Sequence, residues 1–287
     1  MARTLRVEPG SAPRLAERTT TPVSRIAKPE AKKLLAEQTA ELSALQEQLY
    51  ARGTHAVLVV FQAMDAAGKD STINHVFSGV NPQGVRVASF KAPNDEALAH
   101  DFLWRINEQL PPRGHIGVFN RSHYEETVVV RVHPHFLDAQ RLPPRAGGLD
   151  ALWQERYEDI NAFERHLDRN GTKVVKFFLH VSAQEQRDRL LARIAEPEKH
   201  WKFNADDLSE RKRRADYLAA YEDTIAATST EWAPWHVVPA AHKPTMRVLV
   251  SRVLLDTLRD LDLAPPTPSA EQRRELDDAR AQLEAER

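Results

Sequence analysis

The strongest constraint on the fold is a continuous apolar run that leads into a glycine-containing turn. The sequence AVLVVF, residues 56–61, shows no alternation of apolar and polar positions, which is typical of a strand covered on both faces in a parallel sheet. Gly68 and Lys69 come next, and DSTINHVF after them is compatible with a helix. A strand, a Gly-Lys loop and a helix in this order predict a phosphate site, because the backbone N–H groups at the start of the helix point at the anion.

Short apolar strands and amphipathic helices alternate along the rest of the chain. The pattern predicts strands at residues 56–61, 85–90, 116–119, 173–181 and 235–240. It predicts helices at residues 29–50, from about 69, at 95–110, near 124, and at 149–167, 183–194 and 244–258. This order predicts an α/β fold, a three-layer αβα arrangement in which about five parallel strands are flanked by helices.

Composition divides the chain into three parts. Residues 1–29 are rich in Pro, Thr and Arg and predict an extended arm, whereas residues 30–264 predict a single domain. Residues 265–287 form a polar tail that we interpret as frayed helix or disordered chain. Within the domain, residues 196–216 are too polar for a core and too charged for a simple turn, so we expect a lid there.

Composition also excludes several kinds of function. The chain has no Cys, which excludes disulfides, thiolate metal sites and a Cys nucleophile. Its 40 Lys and Arg nearly balance 41 Asp and Glu, so no global field attracts nucleic acid and an anion site needs local clustering. No apolar run has the length of a signal peptide core or a membrane span, so we expect a cytoplasmic protein without a membrane or nucleic-acid partner.

The loop before the first predicted helix departs from the common phosphate-loop pattern. Ala63 stands where that pattern has its first Gly, and Asp70 stands where it has Ser or Thr. The plain alternative is a βα turn with an exposed Lys69. Asp65 argues against it, because a carboxylate inside a phosphate loop repels the ligand unless it holds Mg²⁺ or polarises a nucleophile. Asp70 is better explained as a helix cap than as a metal ligand.

A second candidate group follows the strand at residues 116–119. Asn120 and Arg121 stand at its carboxyl end, where ligands of open α/β sheets bind. A neutral amide beside a guanidinium is a poor metal site but a good phosphate site, because Arg offers a planar fork of donors. Glu125 and Glu126 come next; acidic residues stabilise the start of a helix in any case, and Glu126 is also a candidate second metal ligand.

A third group consists of cations late in the chain. Arg189 and Arg193 are four residues apart and share a helix face, and four more cations follow in the predicted lid: Lys199, Lys202, Arg211 and Arg213. A solvated charged face is the usual explanation for such a run. Beside a phosphate loop, a lid that closes over transferring phosphates explains it better.

Taken together, four blocks of the chain resemble the polyphosphate kinase 2 family of P-loop kinases. They are FQAMDAAGKDSTINHVFSGVNPQGVRVASFKAPNDEALAHDFLWR, IGVFNRSHYEETVVVRVHP, FFLHVSAQEQRDRLLARIAEPEKHWKF and TSTEWAPWHVVPA. The resemblance spans roughly residues 34–258 and accounts for both loop departures, since the family's own loop is written around Asp-Ala-Ala-Gly-Lys. It implies a P-loop kinase fold with a helical lid, bound magnesium (or manganese), and homotetramers.

The resemblance also implies an activity, reversible transfer of phosphate between inorganic polyphosphate and adenine or guanine nucleotides. The form FNRSHYE is similar to the branch that phosphorylates both AMP and ADP, whereas many members have Asp in place of Asn120. By resemblance the catalytic residues are Asp65, Lys69 and Arg121, and Asp65 also holds metal; Glu126 remains the candidate second metal ligand named above. Candidate phosphate-binding residues are Ala66, Ala67, Gly68, Lys69, Asp70, Lys91, Asn120, Arg121, Arg189, Arg193, Lys202 and Arg211.

Three other functions are compatible with the sequence. The first is a polyphosphate kinase that accepts only AMP or only ADP. The second is an ATP-dependent kinase of nucleoside monophosphates or small molecules, which needs the same Gly68, Lys69 and lid. The third is a non-catalytic polyanion-binding protein; Asp65 and the net charge near zero argue against it.

Overall fold

The predicted α/β architecture is confirmed in a computed structural model that describes residues 2–144, 147–264 and 267–286. One sheet contains the five strands of the described chain, in the order β2-β3-β1-β4-β5, and every neighbouring pair is parallel. The strands are β1 (Ala56–Ala63), β2 (Val85–Ser89), β3 (Ile116–Asn120), β4 (Thr172–His180) and β5 (Trp235–Pro239). Because all the strands are parallel, their carboxyl ends meet at one edge of the sheet.

Helices cover both faces of the sheet. They are α1 (Ala2–Leu5), α2 (Lys28–Arg52), α3 (Lys69–Phe77), α4 (Asp95–Ala99), α5 (Trp104–Asn107), α6 (Val129–Val132), α7 (Gly148–Arg169), α8 (Ala183–Ala195), α9 (Asp206–Lys212), α10 (Arg214–Thr228), α11 (Lys243–Arg259) and α12 (Ala270–Ala285). Single 3₁₀ segments lie at Pro82–Gly84, His123–Glu126, Pro134–Gln140 and Pro197–Lys202.

The central strand β1 divides the hydrophobic core into two layers. All eight of its residues are buried, and alternate side chains enter opposite layers. Val59 packs in the layer that contains α2, α3 and α11. Val60 packs in the layer that contains residues of α7 and α10. This two-sided burial explains why the sequence of β1 is a continuous apolar run.

One predicted helix is wrong in its extent. Residues 95–110 form two short helices, α4 and α5, instead of one. The side chain of Asp101 accepts a hydrogen bond from the N–H of Leu103 at 2.9 Å, and its carbonyl accepts one from Trp104 at 3.1 Å. Asp competes with the helix for backbone N–H groups in this way, so the chain turns at Asp101 and a new helix starts after it.

The amino-terminal arm packs along the edge strand β5. The N–H of Val7 donates to the carbonyl of Trp235 in β5 at 2.8 Å, and the side chains of Val7 and Leu15 are buried. At the other end of the chain, α12 begins with a capping box formed by Ser269 and Gln272, and all its described side chains are exposed. Within the described residues, no helix has the length and apolar character needed to cross a membrane.

Candidate active site

The loop between β1 and α3, residues 64–68, holds an unusual backbone conformation. Ala66 has a φ of 61° and Gly68 a φ of 105°. The left-handed region costs a non-glycine residue roughly 1–2 kcal/mol and persists where the surroundings hold it in place. Helix α3 starts directly after Gly68, so its first N–H groups and the helix dipole face the space that the loop encloses.

Arg189 braces this loop from α8. Its guanidinium donates hydrogen bonds to the carbonyls of Ala67 at 2.7 Å, Ala66 at 3.2 Å and Ala240 at 2.5 Å. Its Nε also donates to Glu185 at 2.8 Å, and the side chain is 9% exposed. Arg189 thus shapes the loop through backbone carbonyls, and its phosphate-binding role stays a prediction.

Lys69 lies where the loop meets α3. Its Nζ donates to the carbonyl of Ala63 at 2.9 Å, so the ammonium reaches back across the loop. Burial, and then the positive charge of Arg121, lower the pKa of Lys69. An incoming phosphate dianion would offset both effects.

Arg121 stands between two carboxylates at the end of β3. Its Nη1 lies 3.1 Å from Oε2 of Glu125, and its Nη2 lies 3.5 Å from Oδ1 of Asp65. Its backbone is left-handed, with a φ of 63°, and its N–H donates to the carbonyl of Phe61 in β1. Glu125 is the main cause of a raised pKa for Arg121, which is therefore a permanent cation. The two strand ends thus bring Asp65, Arg121 and Glu125 together.

These three residues line a pocket roofed by the lid and by α10. Its lining residues are Ala63, Met64, Asp65, Arg121, Glu125, Val129, Gln186, Glu210, Arg211, Arg214, Tyr217 and Tyr221. Three carboxylates and three guanidiniums in one pocket suit a phosphorylated ligand that also carries cations.

Gln186 connects the loop to the arginines above it. Its Nε2 donates to the carbonyl of Asp65 at 3.1 Å, while its Oε1 accepts from Arg211 at 2.8 Å and from Arg214 at 3.3 Å. Arg211 thus lies in the pocket, as predicted. Gln186 and Arg214 were not predicted from the sequence as site residues. A signal existed for Gln186, because it is three positions before Arg189 and so shares its helix face.

Acidic residues of α9 also hold the lid against the rest of the domain. Arg193 of α8 pairs with Asp207 of α9 at 3.0 Å. Glu210 of α9 accepts hydrogen bonds from Tyr217 at 2.5 Å and pairs with His133 at 2.8 Å. Arg193 is therefore engaged by a carboxylate of the lid and does not line the pocket.

Glu126, the predicted second metal ligand, has another role. Its carboxylate is 5% exposed, forms an ion pair with Arg156 and accepts a hydrogen bond from Gln140 at 2.8 Å. Its oxygens are thus used inside the protein, and its role as a metal ligand stays a prediction that these contacts do not support. Glu125 lines the pocket, whereas Glu126 does not. The sequence predicted Glu125 only as a residue that stabilises the start of a helix.

Asp70 and Asn120 bond to each other. The Nδ2 of Asn120 donates to Oδ1 of Asp70 at 2.6 Å. The predicted cap at Asp70 is wrong, because α3 begins at Lys69, its N-cap is Gly68, and no side chain caps it. The pair ties the start of α3 to the end of β3, next to the pocket but outside its lining.

Two further predicted phosphate ligands, Lys91 and Lys202, stay predictions. Lys91 is exposed, two residues beyond the end of the edge strand β2, and its carbonyl accepts a hydrogen bond from Arg105 at 2.8 Å. The side chain of Lys202 lies outside the described residues. Lys91 keeps a position at the carboxyl edge of the sheet, on the far side of β3 from the loop.

A buried polar network lies beneath the turn that carries Arg121 and Glu125. Lys176, in the middle of β4, is completely buried and donates to Glu164 at 2.5 Å, to the hydroxyl of Tyr124 at 2.8 Å and to the carbonyl of Thr228 at 2.7 Å. The hydroxyl of Tyr124 in turn donates to Glu164 at 2.8 Å. The network therefore fixes Tyr124, which immediately precedes Glu125.

The donor set of the pocket fits magnesium that arrives with phosphate. Among the described residues, no group of three His, Cys, Asp or Glu side chains could hold a metal alone. Asp65 and Glu125 lie on either side of one guanidinium. Mg²⁺ is usually bound by one or two carboxylates together with substrate phosphates and water, so a two-carboxylate site is sufficient.

The fold and the loop define a phosphate-binding protein of the P-loop kinase type, and comparison with known proteins identifies the family. Residues 25–264 match the family model described as Polyphosphate kinase 2. An ADP-polyphosphate phosphotransferase of Rhodopseudomonas palustris is 52% identical over 250 residues, 87% of this chain and 86% of that protein. An AMP/ADP-polyphosphate phosphotransferase of Meiothermus ruber is 51% identical over 227 residues, 79% of this chain and 80% of that protein.

A solved structure agrees with these matches. Polyphosphate Kinase 2 from Arthrobacter aurescens superposes with a TM-score of 0.85 at 42% sequence identity, and the match covers 96% of each chain. The chain therefore belongs to the polyphosphate kinase 2 family.

Proposed function

We propose that this protein transfers the terminal phosphate of inorganic polyphosphate to AMP and to ADP, giving ADP and ATP in a reversible reaction. The observation that carries the proposal is the acidic phosphate loop, in which Asp65 faces Arg121 and Glu125 across one pocket. Relatives named for polyphosphate transfer to ADP and to AMP and ADP support it.

In the proposed reaction, a terminal phosphate oxygen of the nucleotide attacks the terminal phosphorus of the polyphosphate. The P–O–P bond breaks, and its electron pair leaves with the shortened chain. Loose transition states of this kind need positioning and charge neutralisation more than covalent help. Lys69 and the N-terminus of α3 hold the donor phosphates. Arg121 offers two donor faces to the phosphate that moves.

We propose that Asp65 and Glu125 hold Mg²⁺ jointly with the phosphates of the two substrates. The ion supplies neutralisation of phosphate charge at the reacting oxygens. In its absence, the geometry gives both carboxylates to Arg121. Binding of metal and substrate would therefore release part of the guanidinium for phosphate. Mn²⁺ is an alternative ion for the same oxygen ligands.

A narrower acceptor range is the second candidate. The Rhodopseudomonas palustris relative is named for ADP alone, whereas the Meiothermus ruber relative is named for AMP and ADP at nearly the same identity. The two functions differ in one product, because only an enzyme that accepts AMP makes ADP from it.

The deciding experiment incubates the protein with Mg²⁺, long-chain polyphosphate and AMP, and follows ADP and ATP over time. We expect ADP first and ATP after it. ATP formation from ADP without conversion of AMP would establish the narrower function. No nucleotide product from either acceptor, with transfer from ATP to AMP intact, would establish an ATP-dependent kinase instead.

We also propose a cytoplasmic homotetramer. The location rests on the absence of Cys from the chain, which suits a reducing compartment. The tetramer rests on the family resemblance alone. Size-exclusion chromatography with light scattering tests it, since 32.5 kDa protomers in a tetramer give about four times that mass.

A further inference from the structure

Two cations of α11 lie beside the phosphate loop, away from the pocket. Lys243 and Arg247 are four residues apart and share a face of the helix. Nη2 of Arg247 donates to the hydroxyl of Ser71 at 2.7 Å, and Ser71 is in the first turn of α3, two residues after Lys69. The methyl carbon of Met246 lies 3.9 Å from the point where a β-carbon on Gly68 would stand. The start of α11 therefore adjoins the loop.

The positive charge of these two residues is only partly compensated, because Lys243 interacts at longer range with the carboxylates of Glu185 and Glu196. Among the described residues, no carboxylate forms an ion pair with Lys243 or Arg247. The Nε of Arg247 is buried without a hydrogen-bond partner. Partial desolvation, followed by the charges of Arg189, Arg247 and Lys199, lowers the pKa of Lys243, and the carboxylate of Glu185 opposes this effect. A local excess of positive charge of this kind favours binding of an anion.

The order of the strands separates this cation pair from the pocket. Arg121 and Glu125 follow β3, on one side of β1, whereas Lys243 follows β5, two strands to the other side. The phosphate loop after β1 lies between the two groups. The pocket lining includes neither Lys243 nor Arg247, whereas the loop adjoins both the pocket and the start of α11.

We propose that Lys243 and Arg247 form a distal subsite for the inorganic polyphosphate donor, away from the bond that breaks. This inference rests on the proposed function and deepens it: the donor chain runs from the pocket across the loop and out past the start of α11. The subsite increases the affinity for long donors, because only they place further phosphates on these cations. Short donors are held by the loop alone.

The test compares two donors, tripolyphosphate and long-chain polyphosphate, with ADP as acceptor. The variants are Lys243→Gln, Arg247→Gln and the double variant. For each single variant we expect the KM for the long chain, divided by the KM for tripolyphosphate, to rise about ten-fold, the loss typical of one charge-assisted contact, and the double variant should show a larger rise. The salt dependence of long-chain binding, measured by calorimetric titration, falls by about one unit of slope per residue removed.

Lys33→Gln is the matched control, because it removes the same charge from a lysine that is 79% exposed on α2. Its KM ratio stays at the wild-type value. Arg247→Lys keeps the charge but loses the fork of donors, so its ratio lies between wild type and Arg247→Gln. Thermal unfolding of each variant identifies any that fail to fold, and Lys243→Gln, at an exposed position, then carries the test.

Two results would overturn the inference. One is an equal rise in KM for both donors, which would place the residues at the reacting phosphates. The other is an unchanged ratio in the double variant. Failure of the proposed function is a different result: wild-type protein would form no ATP from either donor. Even then, calorimetric binding of long-chain polyphosphate to wild type and to Lys243→Gln decides whether the subsite exists.

Discussion

Replacing Lys176 by Met tests the buried network below the pocket. Lys176 and Glu164 are both 0% exposed, and their hydrogen bonds join β4 to α7 and to Tyr124. Burial acts to raise the pKa of Glu164, but the charge of Lys176 leads the opposing effects that hold it below its usual value. With Met at position 176, the carboxylate keeps its burial and loses its counter-charge.

The expected loss of stability is large. Removing one partner of a buried ion pair costs about 3–5 kcal/mol, a substantial share of the roughly 5–15 kcal/mol by which domains are stable. For a chain of this length, each kcal/mol lowers Tm by about 2 °C. We therefore expect a fall in Tm of roughly 6–10 °C by circular dichroism.

The double variant Lys176→Met, Glu164→Leu separates charge from packing. It removes both charges, so we expect it to regain much of the stability that the single variant loses. The single variant should also lose less at mildly acidic pH, because its buried Glu164 has a raised pKa and is stable in the protonated form, which disappears as pH rises. A Lys176→Met protein within about 1 kcal/mol of wild type, or a double variant whose losses simply add, would refute the reasoning.

Three further predictions concern single residues. Glu125→Gln should lower kcat by 100-fold or more, a loss of roughly 3 kcal/mol of transition-state stabilisation, with little change in Tm. Glu126→Gln should lower Tm instead. A loss of kcat in Glu126→Gln, with wild-type kcat in Glu125→Gln, would indicate that Glu126 is the metal ligand. Arg121→Lys should lower kcat, because lysine keeps the positive charge but cannot make the bidentate contact of a guanidinium. Wild-type kinetics in that variant would exclude a role for the bidentate contact. Burial lowers the pKa of His236 to about 4, so the free energy of unfolding of the wild type should fall by about 3 kcal/mol as pH drops from 6.5 to 4. Urea titrations of His236→Gln should show a smaller fall over the same range. An equal fall in both proteins would contradict a lowered pKa of His236 as its cause.

The fold could be predicted because its signals are local. A buried parallel strand needs an apolar run, and each of the five runs became a strand. The helix over 95–110 failed for an equally local reason, since Asp101 offers the backbone a side-chain acceptor that periodicity does not register. Caps and turns of this kind decide where a helix stops.

The site was predictable at the loop and less so around it. Three site residues could be predicted because they closely follow predicted strands: Asp65, Lys69 and Arg121. The choice between Glu125 and Glu126 depends on a 3₁₀ turn at His123–Glu126, which separates successive side chains by a larger angle than an α-helix does. Sequence alone could not supply that angle.

Long-range contacts account for the remaining differences. Arg189 bonds carbonyls more than 120 positions earlier in the chain, and no spacing within α8 reveals this. Lys176 does leave a signal, because a lysine inside the apolar strand KVVKFF requires a buried partner. The identity of that partner, Glu164, follows only once α7 packs on β4.

The most direct test of the account replaces Asp65 by Asn and measures binding and transfer on the same protein. Binding of long-chain polyphosphate is followed by calorimetry, and transfer by ³¹P NMR of ADP converted to ATP in the presence of Mg²⁺. If Asp65 organises the transfer through metal and Arg121, polyphosphate binding persists and ATP formation is abolished. ATP formation at the wild-type rate in Asp65→Asn would contradict the central role given to the acidic loop.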